Sequence, residues 1–167
     1  MLLGLLLAAA AASPAEILND RVAVLEPFPR EVLRGKTLVV KGVVKAPFKD
    51  PELILIGSGS EVHLLLAAQD QLKTRGIAAR VVSVPSWELF DRQPAEYKEM
   101  VLPSRIRARL AVEAGCSFGW EKFVGLDGDS ITIDRFGESA PDKVLFKEFG
   151  FTVDNVVKKA EALLNRK

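Results

Sequence analysis

The sequence predicts an α/β fold, a three-layer sandwich on a mostly parallel five-stranded sheet with one antiparallel edge strand. Three observations lead there. Short runs of consecutive apolar, often β-branched residues recur along the chain and stop at Gly or Pro. Stretches with apolar residues at helical spacing separate them. The runs are continuously apolar, the pattern of parallel strands covered on both faces.

Residues 1–36 are expected to be a poorly defined lead-in, helical or mobile, punctuated by Pro27, Pro29 and Gly35. Leu2 to Ala12 is an apolar run, and Ala10-Ala11-Ala12 before Ser13 imitates a signal-peptidase site. No Lys or Arg precedes that run, and Ser13-Pro14-Ala15-Glu16 has the order of a helix start, with Ser as N-cap, Pro at N1 and Glu at N3. A helix, or a scar of gene truncation, is the preferred reading over a secretory signal. The folded domain is expected over residues 37–167.

Thr37 to Val44 is β-branched and apolar and is the expected antiparallel edge strand. Ala46 to Pro51 is rich in turn residues. Leu53-Ile54-Leu55-Ile56 is a strand ending in Gly57-Ser58-Gly59-Ser60. Val62, Leu65, Leu66 and Leu72 keep helical spacing, and Gly76 closes that helix. Arg80 to Val84 is the next strand, stopped by Pro85. A short helix follows from Pro94 to Val101, then a buried strand at Leu110-Ala111-Val112 and another at Ser130 to Ile133. Two helices finish the chain. Ser139 is the expected cap of the first, with Gly150 after its end. Thr152 is the expected cap of the second, whose Val153, Val156, Val157, Ala160 and Leu164 share one face.

A chain of 167 residues is long enough for one domain with a substantial core. Hydrophobic residues make up 49% and charged residues 27%, an ordinary globular balance. The net charge of +1 and the lack of a basic stripe argue against a nucleic-acid partner. No apolar run reaches the roughly 18 residues that would span a bilayer, so no membrane partner is expected. The single cysteine, Cys116, rules out an internal disulfide and fits a cytoplasmic protein.

One candidate binding feature stands out, a possible anion-binding turn formed by Gly57, Ser58, Gly59 and Ser60 between a strand and a helix. Free N–H groups at a helix start attract phosphate. Its spacing is neither the Walker pattern nor the dinucleotide fingerprint, and Ser58 with Glu61 also matches a capping box, which favours a structural turn. His63, the only histidine, has no identifiable nucleophile–acid partners and is expected on a helix surface or partly buried. Cys116 lacks a second ligand at metal spacing and is expected to be a small buried thiol. Glu113, Asp127, Asp129 and Asp134 are expected to be solvated loop charges rather than a convergent acid–base pair. No catalytic, cofactor-binding or metal-binding residue is assigned. Trp87, Phe90, Phe118, Trp120 and Phe123 suit a core or a subunit interface, and Trp87 with Phe118–Phe123 is the candidate self-association patch.

Phe136-Gly137-Glu138-Ser139-Ala140-Pro141, followed by Glu148-Phe149-Gly150-Phe151-Thr152-Val153-Asp154-Asn155-Val156-Val157, strongly resembles the C-terminal domain of transketolases. The resemblance runs from about Lys41 to Leu164. It includes Leu53 to Val62, Ala79 to Ser86, Tyr97 to Pro103, Ala111 to Gly115 and Gly119 to Leu126. The C-terminal domains of pyruvate dehydrogenase β subunits and deoxyxylulose-phosphate synthases share the fold but are not expected to share the last two motifs.

The resemblance implies a transketolase C-terminal-domain-like fold and a link to pentose-phosphate carbohydrate metabolism. A complete transketolase transfers a two-carbon ketol unit between sugar phosphates, using thiamine diphosphate and Mg2+, as a dimer. The third domain supplies no known catalytic group, so no cofactor is expected in this chain. Gly128-Asp129-Ser130 imitates part of the thiamine-enzyme Gly-Asp-Gly motif, but a strand pattern follows it and it reads as a turn. The expected function is that of an isolated or truncated domain, inactive alone, with an assembly or dimerisation role. Its expected partner is a second copy or the missing transketolase domains. The alternative is a regulatory module binding a phosphate or nucleotide.

Overall fold

A computed structural model describes residues 51–166 and the backbone of Val22–Ala23. The described strands are β1 (Val22–Ala23), β2 (Leu53–Gly57), β3 (Ala79–Ser83), β4 (Arg109–Val112) and β5 (Asp129–Ile131). The helices are α1 (Glu61–Thr74), α2 (Trp87–Asp91), α3 (Ala95–Val101), α4 (Glu121–Val124), α5 (Asp142–Glu148) and α6 (Val153–Leu164). The sheet order is β1-β3-β2-β4-β5, and each described pairing is parallel. The expected edge strand Thr37–Val44 lies outside the described residues, as does most of the expected lead-in at 1–36.

The continuous apolar run of β2 is explained by its central position. Leu53, Leu55, Val81, Leu110, Val112 and Ile131 face one side. There they pack on Leu65, Ala68 and Leu72 of α1 and on Val156, Val157, Ala160 and Leu163 of α6. Ile54, Ile56, Val82 and Ala111 face the other side, against Val101, Trp120, Phe123 and Val124. Successive side chains of a strand point to opposite faces, so covering both faces makes every position apolar. Full burial of each such side chain contributes roughly 1.5–3 kcal/mol. The result is the three-layer sandwich, with α1 and α6 on one face and the segments carrying α2, α3 and α4 on the other.

Helix ends follow the local chemistry in part. Thr152 caps α6, its Oγ1 accepting from the Asn155 N–H at 3.2 Å. The expected cap Ser139 does not cap α5. Pro141 is the N-cap, and Ser139 lies two residues earlier in an exposed stretch. Proline fixes its own φ and favours an extended preceding residue, which moves the helix start past Ser139. Two short helices, α2 and α4, form around Trp87, Phe90 and Phe123, where the sequence predicts no element. Each is a turn or so long, too short to show a period.

Arginines hold the loop between α3 and β4. The Arg109 guanidinium donates to the carbonyls of Ile106 at 2.9 Å, Phe123 at 2.8 Å, Leu102 at 3.0 Å and Pro103 at 2.8 Å. Burial lowers its pKa, and the nearby Glu99 charge opposes that. Arg80 donates to the Met100 carbonyl at 2.9 Å and to that of Val101 at 3.1 Å. Cations placed at the carbonyl end of α3 complement its dipole as well as its unsatisfied acceptors.

Candidate functional site

In an open parallel sheet, a crevice forms where the chain leaves adjacent strands toward opposite faces. Here that seam lies between β2 and β4. The segment after β2 enters α1 on one face, whereas the segment after β4 leads to α4 on the other. Gly57 and Val112 form the last pair of the β2–β4 ladder. Gly57 is required by close approach: a Cβ there would lie 2.9 Å from the Val112 carbonyl oxygen and 3.1 Å from Leu65 Cδ1.

The next residues are those of the expected anion-binding turn. Ser58 donates to Glu113 Oε2 twice, from its hydroxyl at 2.8 Å and from its backbone N–H at 3.3 Å. The carboxylate facing this turn thus belongs to the chain itself. The expected capping box between Ser58 and Glu61 is not formed. Ser60 occupies the N-cap position, in helical geometry and with no side-chain cap bond. Its hydroxyl donates instead to Glu61 Oε1 at 3.0 Å. The box fails because Ser58 lies two residues before that N-cap and finds the Glu113 carboxyl as an acceptor across the seam.

Glu61 is 4% exposed, and Glu113 is partly buried. Burial pushes the Glu113 carboxyl upward, the Ser58 hydroxyl opposes that, and the Glu61 charge adds to the rise. Two carboxylates at one turn give it an acidic character that the glycines and serines alone do not reveal.

The other candidates do not gather there. His63 is exposed on α1, one of the two positions expected for it. Cys116 is exposed rather than buried, a correction that follows from its place in the loop after β4. The four acidic residues have separate partners. Asp127 pairs with Arg107, and Asp134 accepts from the Ser117 N–H at 2.8 Å. Asp129 accepts from Lys159 at 3.1 Å and lies 3.6 Å from Arg166. A carboxylate already paired with two cations is a poor ligand for Mg2+, so Gly128-Asp129-Ser130 does not fit the thiamine-enzyme motif and opens strand β5 instead. Among the described residues no group of three or more His, Cys, Asp and Glu is placed to hold a metal ion.

The aromatic set divides. Trp120 is 3% exposed and Phe123 1%, with Trp87 edge-on to both at 5.1 Å. Trp120 is therefore core, which corrects its place in the expected association patch. Phe118 is 85% exposed, and Phe136, outside the expected patch, is 97% exposed. Their loops are tied by Ile133 N–H to the Gly115 carbonyl at 2.7 Å as well as by the Ser117–Asp134 bond.

These features define a parallel α/β domain whose seam is closed by its own side chains. A family model described as the Transketolase-like TK C-terminal domain matches residues 42–152, and the chain belongs to that family. It is 57% identical over 114 residues to a transketolase of Nostoc sp., covering 68% of this chain and 17% of that protein. It is 55% identical over 122 residues to transketolase 1 of Escherichia coli, covering 73% of this chain and 18% of that protein. Among solved structures, transketolase from Leishmania mexicana superposes with a TM-score of 0.66 at 42% identity, over 71% of this chain and 17% of that one. The chain thus spans under a fifth of the length of these relatives. Among the described residues no helix is long and apolar enough to cross a membrane.

Proposed function

We propose that this chain supplies the C-terminal domain of a transketolase and acts in assembly, as a homodimer or against the thiamine-diphosphate-binding domains. On this reading it performs no ketol transfer alone, and the complete enzyme's thiamine diphosphate and Mg2+ are held elsewhere. The observation that carries the reading is coverage: the match to the Nostoc transketolase takes in 17% of that protein. The exposed Phe118 and Phe136 support it, since apolar side chains on tied loops suit a partner surface. The alternative, a phosphate- or nucleotide-binding module on Gly57, Ser58, Gly59 and Ser60, has a competitor for its donors in Glu113.

The purified chain, supplied with thiamine diphosphate, Mg2+ and a ketose-phosphate donor with an aldose-phosphate acceptor, is expected to show no product. Mixing it with a transketolase lacking this domain is expected to give a complex on sedimentation. Ketol transfer by the chain alone would overturn the proposal, as would strict monomers together with no complex.

A further inference from the structure

Beyond Gly57 and Val112 the β2–β4 ladder stops, and the next link across the seam is a side-chain one. It consists of two hydrogen bonds from Ser58 to a single oxygen of Glu113. The two segments it joins leave for opposite faces of the sheet. Glu113 is itself partly buried, and the carboxylate of Glu61, 4% exposed, stands at the same turn from the first residue of α1. The Glu61 charge acts on Glu113 and disfavours its ionised form.

We propose that Ser58 and Glu113 form a proton-controlled latch across the seam, drawn closed when the Glu113 carboxyl is protonated and loosened when it ionises. Burial and a neighbouring carboxylate both disfavour the charged form. Both penalties fall when the seam opens and water reaches Glu113. The neutral carboxyl keeps an acceptor oxygen for the Ser58 N–H and hydroxyl, so the closed link survives protonation. The direction of the Glu113 shift agrees: a carboxyl that binds its proton more tightly in the closed state stabilises that state as pH falls. The Ser58 bonds favour the ionised form and oppose this, but burial is the larger effect.

Carbon-13 NMR of the full chain labelled at glutamate side chains should place the Glu113 midpoint above that of a solvated glutamate. Amide exchange at Ser58, corrected for intrinsic rate, should become slower as pH falls through that midpoint. The expected gain is about tenfold for each pH unit by which the midpoint exceeds the solvated value. Glu113→Gln should give slow exchange at Ser58 that no longer changes across this range. Glu61→Gln should lower the Glu113 midpoint, and it tests the idea independently if Glu113→Gln does not fold. Flat Ser58 protection through the Glu113 titration, or the same pH response in Glu113→Gln, would overturn the latch. So would a Glu113 midpoint at or below the solvated value.

Discussion

Arg109 shows how much one side chain can hold. Its guanidinium serves four carbonyls from three segments: Leu102 and Pro103 after α3, Ile106 before β4, and Phe123 in α4. The planar fork of five donors makes that geometry available, whereas a lysine ammonium is a compact charge with three. Arg109→Lys is therefore expected to lose about 2–3 kcal/mol, since at least one of these partly buried carbonyls goes unpaired. Urea unfolding followed by circular dichroism measures the loss. A midpoint equal to wild type would show that the carbonyls find other partners. Nothing in the sequence near Arg109 signals this role, because its acceptors are backbone carbonyls, a group every residue carries, gathered from as far away as Phe123.

At the scale of elements, the junction of α5 and α6 explains the Phe149-Gly150-Phe151-Thr152-Val153-Asp154-Asn155 motif. The Phe151 N–H donates to the Phe146 carbonyl at 2.7 Å, and the Gly150 N–H donates to that of Lys147 at 3.1 Å. Gly150 adopts φ +82°, the left-handed conformation that glycine accepts without penalty. This is a Schellman ending, completed by the Phe146 and Phe151 rings at 5.4 Å. Thr152 then caps the next helix, and Asn155 Nδ2 returns to the Gly150 carbonyl at 2.8 Å. Thr152→Ala should cost about 1 kcal/mol, the usual value of an N-cap. Thr152→Ser should recover most of it. Thermal melts of the two variants decide the matter, and equal melts for both would show that the hydroxyl contributes nothing. The cap was legible in the sequence because its partner is three residues away. Ser139 offered a similar signal and failed, since Pro141 starts the helix later.

For the whole molecule, the question is which apolar surface remains for a partner. Trp120 is enclosed by Trp87 and Phe123, so Trp120→Glu is expected to abolish cooperative folding by burying an unpaired charge. Phe118 and Phe136 stand in solvent, so Phe118→Glu and Phe136→Glu should each change stability by less than about 0.5 kcal/mol. If the proposed assembly uses this end of the sheet, the same two variants weaken association in sedimentation velocity while melting unchanged. Association indifferent to both would place the interface elsewhere.

The sequence by itself determined the layer architecture and the family. Strand and helix periods are local, and the burial of β2 on both faces is written in consecutive residues Leu53 to Ile56. The α1 helix ending near Gly76 and the Thr152 cap are local in the same way. Tertiary structure alone decided the character of the seam. Ser58 and Glu113 are separated by 55 residues, and only parallel pairing of β2 with β4 sets them side by side. It also decided which aromatics are core, because burial of Trp120 and exposure of Phe118 depend on which way a loop turns beneath the sheet. Local composition reports what a residue can do. The neighbours brought by distant strands decide whether a donor finds phosphate, solvent or a carboxylate of its own chain.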